Sequence, residues 1–120
     1  MNFRFMNLDI WKDAIALNDE FYDLADKIEA SKSFRFAEQM RAASLSISNN
    51  IAEGSGSFSD KDFANFLNIA RRSVFETANL SCVAFNRKYI KQEELTEQLN
   101  KLDSMSRRIT NFRKKLINNE

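Results

Sequence analysis

Apolar residues recur along this chain at alternating spacings of three and four, the repeat of a helix with a buried face. From about Asp9, a residue suited to N-capping, to about Ala30, the residues Ala14, Leu17, Phe21, Leu24 and Ile28 form one stripe. Trp11, Ile15, Tyr22 and Ala25 form a second beside it, so the apolar face covers about half the helix. A second helix is predicted over about 36–53, on Phe36, Met40, Ile47 and Ile51, and it stops at Gly54, which can supply a left-handed terminal residue. Ser59 opens the third, about 60–87: Ser59 and Asp62 resemble a capping box, and Asp60 and Asp62 suit the positive end of the helix dipole. Its stripe of Phe63, Leu67, Ala70, Val74, Ala78, Ser81 and Phe85 is flanked by Phe66, Ile69, Leu80 and Val83. The fourth, about 92–118, carries Leu95, Leu99, Leu102, Met105, Ile109, Phe112 and Leu116.

Four helices of this length joined by short loops predict an all-α fold, an antiparallel up-down four-helix bundle occupying residues 1–120 as one domain. Composition agrees. There is no proline and glycine occurs only at Gly54 and Gly56, so the punctuation of hairpins and sheets is missing. No apolar run approaches the roughly 20 residues that span a bilayer, and residues 1–6 do not read as a secretory signal, so a cytoplasmic protein is expected.

In an isolated bundle each helix needs one core-facing stripe, and the first and third offer about twice that. Two explanations stand: the surplus meets other copies of the chain, or a bulky core drawn from 11 phenylalanines needs wide faces to fill it. The first makes the chain a homo-oligomer, with Trp11, Ile15, Tyr22, Phe66, Ile69, Leu80 and Val83 as interface candidates.

The second helix also carries a polar stripe of Gln39, Ser46, Asn50 and Glu53 beside its apolar line. Such groups bordering a core must bond to one another or to neighbouring helices, or else face a functional groove, and the structural role is the expectation. The run from Gln39 to Gly54, with Ser46-Ile47-Ser48-Asn49-Asn50-Ile51-Ala52-Glu53-Gly54 at its centre, resembles the bacterial four-helix-bundle proteins encoded in intervening sequences of 23S ribosomal RNA genes. Trp11, the stretch from Phe63 to Ala70, Ser73, Glu76 and Tyr89-Ile90 fall where that pattern puts them. The chain departs from it at Ala42, where a second arginine is common, at Arg72, where a glycine is, and in lacking a proline near the start of helix two. The lost arginine pair weakens any nucleic-acid role for Arg41. The resemblance implies a protomer that assembles into a ring, a pentamer, and relatives accompanying diversity-generating retroelements add a nucleic-acid-associated role as an alternative.

Charge bears on that alternative. The net charge is +1, but residues 1–60 carry −4 and residues 61–120 carry +5. Arg107, Arg108, Arg113, Lys114 and Lys115 cluster in the last helix as candidates for RNA or DNA backbone contact, and repetition around a ring would multiply them. The same cations also complement the helix C-terminus and an acidic first helix.

No enzyme, cofactor or metal site is expected. The chain has no histidine, so it lacks the commonest general base and metal ligand and any Glu-x-x-His di-iron motif. Gly54-Ser55-Gly56-Ser57 is too short for a phosphate-binding loop and has no lysine. The carboxylates of Glu38, Glu53 and Glu76 remain, and Glu53 and Glu76 are expected to pair with Arg41, Arg71 or Arg72. The single Cys82 is expected in the core.

Overall fold

The computed structural model describes residues 2–118, so the outermost residues of the expected 1–120 domain lie outside the described residues. A 3₁₀ turn at Arg4–Asn7 leads into four helices: α1 (Asp9–Ala30), α2 (Phe34–Ser55), α3 (Asp60–Asn86) and α4 (Gln92–Asn118). Across α2 and α3, Ser46 meets Ser73 while Gly54, eight residues on, meets Phe66, seven residues back. Moving forward on one helix moves backward on the next, as antiparallel neighbours must. The all-α up-down bundle expected from the spacing is the observed fold, within extents of 48 × 27 × 20 Å.

The helix ends depend on local chemistry. At α3 the Ser59 hydroxyl accepts the Asp62 amide at 3.1 Å, as its position predicts. At α1 the expected cap is displaced: Leu8 holds the N-cap position without a side-chain bond, and Asp9 is the first helical residue. The 3₁₀ turn replaces the cap, because it delivers the Leu8 carbonyl to the Trp11 and Lys12 amides, each at 3.1 Å. Helix α2 starts two residues early and runs two residues further than the spacing suggests. Its early start follows from Lys32, whose φ of +73° reverses the chain within a three-residue break. Lys88, with φ +68°, does the same between α3 and α4, so α3 ends at Asn86 rather than Arg87.

Gly54 has no left-handed φ and lies inside α2. Its role is steric. A Cβ there would fall 2.5 Å from the Phe66 Cβ and 2.9 Å from the Phe63 Cδ1, so only a hydrogen lets α3 come this close.

The core is not a phenylalanine core. Of the 11 phenylalanines, only Phe21 and Phe63 are buried, and Phe3, Phe34, Phe58, Phe75 and Phe85 are exposed. Ile28, Ile47, Ile51, Leu67, Leu102 and Ile109 fill the interior around fully buried Ala14, Ala25, Ala37, Ala70 and Ala84. Small residues let the helices approach closely, which removes the need for bulky filler that would have explained the wide apolar faces. Among the described residues no helix is long and apolar enough to cross a membrane.

Candidate interaction surfaces

The polar stripe of α2 divides in two. Ser46 and Asn50 are half-buried against α3: the Asn50 side-chain amide donates to the Ser46 carbonyl at 2.8 Å and to its hydroxyl at 3.0 Å, and the Ser73 hydroxyl stands 2.8 Å from that of Ser46. These bonds fix the register of α2 on α3, which is the structural role expected of the stripe. Gln39 and Glu53 are exposed and take no part. A second polar line, not foreseen as such, faces α1, where buried Ser44 donates to Asn18 at 3.2 Å. Its signal was present in the alternation Ser44, Ser46, Ser48, which at 100° per residue puts hydroxyls on both flanks of the apolar line.

Arg41 lies on the α1 flank and is only 15% exposed. It binds Asp26 at 2.7 Å, Glu29 at 3.1 Å and Glu38 at 2.5 Å, so the expected pairing with Glu53 or Glu76 does not occur. Hydrogen bonds donated to Asp26 and Glu29 hold the guanidinium well above its ordinary pKa. The cause of the miss is distance along the helix: Glu53 lies twelve residues from Arg41 on α2, about 18 Å at 1.5 Å per residue, and Glu76 is exposed on α3.

Four of the five cations of the α4 cluster share one side: at 100° per residue Arg107, Arg108, Lys114 and Lys115 fall within about 120° of one another, and Arg113 lies apart. Arg108 pairs with Asp13 of α1, Arg107 with Asp103 at 2.9 Å, and the half-buried Arg113 donates from Nε to the Ala64 carbonyl at 3.2 Å. Lys114 and Lys115 are exposed. Arg108 and Arg113 thus attach α4 to its neighbours, and Arg107 pairs within its own helix. Of the neighbouring helices, α1 and α4 approach each other least, leaving a cleft of about 610 Å³ over Leu17 and Met105. Two ion pairs span it, Arg108 with Asp13 and Lys101 with Glu20 at 2.6 Å, seven residues apart on each helix. Glu20 raises the Lys101 pKa above its ordinary value. The opposite charges of the two halves therefore meet within one protomer.

The interface candidates also separate. Leu80 is buried and belongs to the core, a correction to its expected place, because at 100° per residue it falls on the line of buried Ser73, Thr77 and Ala84. Trp11 is half-buried and meets Phe5 edge-on at 4.9 Å, Tyr22 is half-buried, and Phe66 is half-buried over Gly54. Ile15, Ile69 and Val83 remain exposed, and Phe75, which the periodic reading passed over, is 57% exposed with the Arg71 guanidinium 4.8 Å from its ring centre. Cys82, expected inside, is exposed on the same helix.

Ile69 and Val83 lie on the outer side of α3, and Phe75, about 120° round the helix from Ile69, borders α4 beside Leu99 and Leu102; the outer side of α2 and α3 is poor in charge. From Phe63 to Asn86 only Arg71, Arg72 and Glu76 are charged, and from Ala42 to Ala52 nothing is, in a chain that is 29% charged overall. The family model for 23S rRNA-intervening sequence proteins matches residues 6–111, which include all of this surface. The chain belongs to that family. A crystal structure of a protein of unknown function from the S23 ribosomal protein family of Bacteroides thetaiotaomicron is similar to this chain. The two share 23% identity over 88% of this chain and 98% of that one, with a TM-score of 0.82. At that identity the likeness concerns the four-helix fold. No curated protein sequence matches the chain.

Proposed function

We propose that this protein is a non-enzymatic scaffold whose working form is a homo-oligomer, joined through the charge-poor outer side of α2 and α3. The observation that carries the reading is the exposure of Ile69 and Val83 on a 24-residue stretch with three charged residues. Interface cores are depleted of charge and enriched in aromatic side chains, and a soluble chain leaves such a surface bare only at a cost in solubility. The Ala-rich core supports it further, since the alternative use of the surplus apolar residues was to fill the interior.

The family resemblance points to a ring, a pentamer. A ring requires two different complementary surfaces on each protomer. The exposed acids Asp19 and Asp23 on the outer side of α1, beside Ile15, supply a second surface to meet Arg72. Light scattering after gel filtration at micromolar concentration tests this. Five copies give about 70 kDa against 14.0 kDa for one chain, and a monomer overturns the proposal.

A further inference from the structure

The end of the bundle opposite the α4 cluster holds a groove that the sequence reading did not assemble. It measures about 620 Å³ and lies between the start of α2 and the turn after α3. Lys32, Arg35 and Arg87 line it together with Phe34, Phe36 and Tyr89, and no carboxylate does. All three cations are exposed, and none forms an ion pair among the described residues. The nearest acids along α1 and α2, Glu29 and Glu38, are drawn to the α1 flank by Arg41.

The wall is held in place. The Tyr89 hydroxyl lies 2.8 Å from that of Ser31 and 2.9 Å from that of Ser33, and the Lys27 ammonium donates to the Tyr89 carbonyl at 3.0 Å. These bonds tie together the two turns that present Lys32 and Arg87. The Phe36 and Tyr89 rings pack 6.1 Å apart, while Phe34 is 58% exposed at the rim. An aromatic face beside unpaired cations suits a polyanion whose units carry both a negative charge and a flat π-surface. Unpaired nucleotides have that chemistry: phosphates meet the cations and a base stacks on the ring. An acidic peptide meets only the first requirement, and in a duplex the base faces are occupied by their neighbours.

We propose that this groove binds single-stranded nucleic acid without sequence preference, Lys32, Arg35 and Arg87 contacting the backbone and Phe34 stacking on a base. The proposal is independent of self-association and shifts the nucleic-acid surface away from Arg107 to Lys115.

Fluorescence anisotropy with labelled twelve-nucleotide oligouridylate and oligodeoxythymidylate tests it on the full chain. Both strands are expected to bind, with affinity falling steeply between about 50 and 200 mM salt. Replacing Lys32, Arg35 and Arg87 by Gln together should reduce the slope of log K against log salt by about 2, at roughly 0.7 per contact to a single strand. Phe34→Ala should weaken binding by about 5-fold or more with the slope unchanged. A Lys114→Gln/Lys115→Gln variant should match the parent. The proposal is overturned by absence of binding at low salt, by a parental slope in the triple variant, or by parental affinity in Phe34→Ala. Equal binding of a duplex, or equal displacement by oligoglutamate of the same charge, also overturns it. Light scattering on the same samples separates the two proposals, since loss of nucleic acid at unchanged mass concerns the groove alone.

Discussion

Gly54→Ala is the substitution whose outcome this structure decides against ordinary expectation. Inside a helix, alanine is favoured over glycine by about 1 kcal/mol, so on propensity alone the change would stabilise. The added methyl would sit 2.5 Å from the Phe66 Cβ, whereas carbon atoms settle at about 3.5–4.0 Å, so α2 and α3 must part locally by about 1 Å. The Phe66 Cβ is fixed to the backbone and cannot rotate aside. Overpacking of a close-packed core costs about 1–3 kcal/mol, and a backbone-rooted clash belongs at the upper end. The balance is a net loss of about 1–2 kcal/mol, or a fall in Tm of roughly 3–10 °C for a chain of this size. Thermal and urea unfolding followed by circular dichroism would measure it. Phe66→Ala should give no rescue, because alanine keeps the offending Cβ. An unchanged or raised Tm in Gly54→Ala would refute the close-approach argument.

Three further outcomes follow from the same contacts. A double-mutant cycle of Ser46→Ala and Ser73→Ala should show a coupling of about 0.5–1.5 kcal/mol in urea unfolding, and additivity would show that the 2.8 Å contact does not fix register. In a Tyr22→Phe background, ultraviolet titration should find Tyr89 ionising below its ordinary value near 10, since bonds from Ser31 and Ser33 favour the phenolate. A folded value below the unfolded one means that stability rises as pH climbs from the folded pKa towards 10, and a midpoint at or above 10 would contradict the bonding. Charge reversal at Glu20 and Lys101 together should leave stability near that of the parent while Glu20→Lys alone lowers Tm, and equal losses in both would show that the pair does not span the cleft.

The fold was legible because the spacing signal is strong: the bounds of α1 and α4 coincide with the apolar periodicity. The helix ends were less so, since Lys32 and Lys88 take a left-handed conformation that no glycine announced. Gly54 was noticed for the wrong reason, because a sequence shows where a side chain is missing and not which neighbour needs the space. Ser46 and Asn50 were legible as a seam, yet their partner Ser73 could not be paired with them without the α2 and α3 register. Within the Arg107 to Lys115 run the partners of Arg108 and Arg113 were not legible, because Asp13 and Ala64 lie on other helices. The same holds for the groove of Lys32, Arg35 and Arg87, whose members lie up to 55 residues apart and meet only when two turns close on each other.

The central claim is that the outer side of α2 and α3 is covered by other copies of the chain, and paired light scattering of the parent and an Ile69→Asp/Val83→Asp variant tests it most directly. Both positions are exposed, so the helical circular dichroism signal should persist. A parent that runs as a multiple of 14.0 kDa beside a helical variant of 14.0 kDa is the predicted result. A variant that keeps the parent's oligomeric mass, or a parent that is itself a monomer, would contradict it.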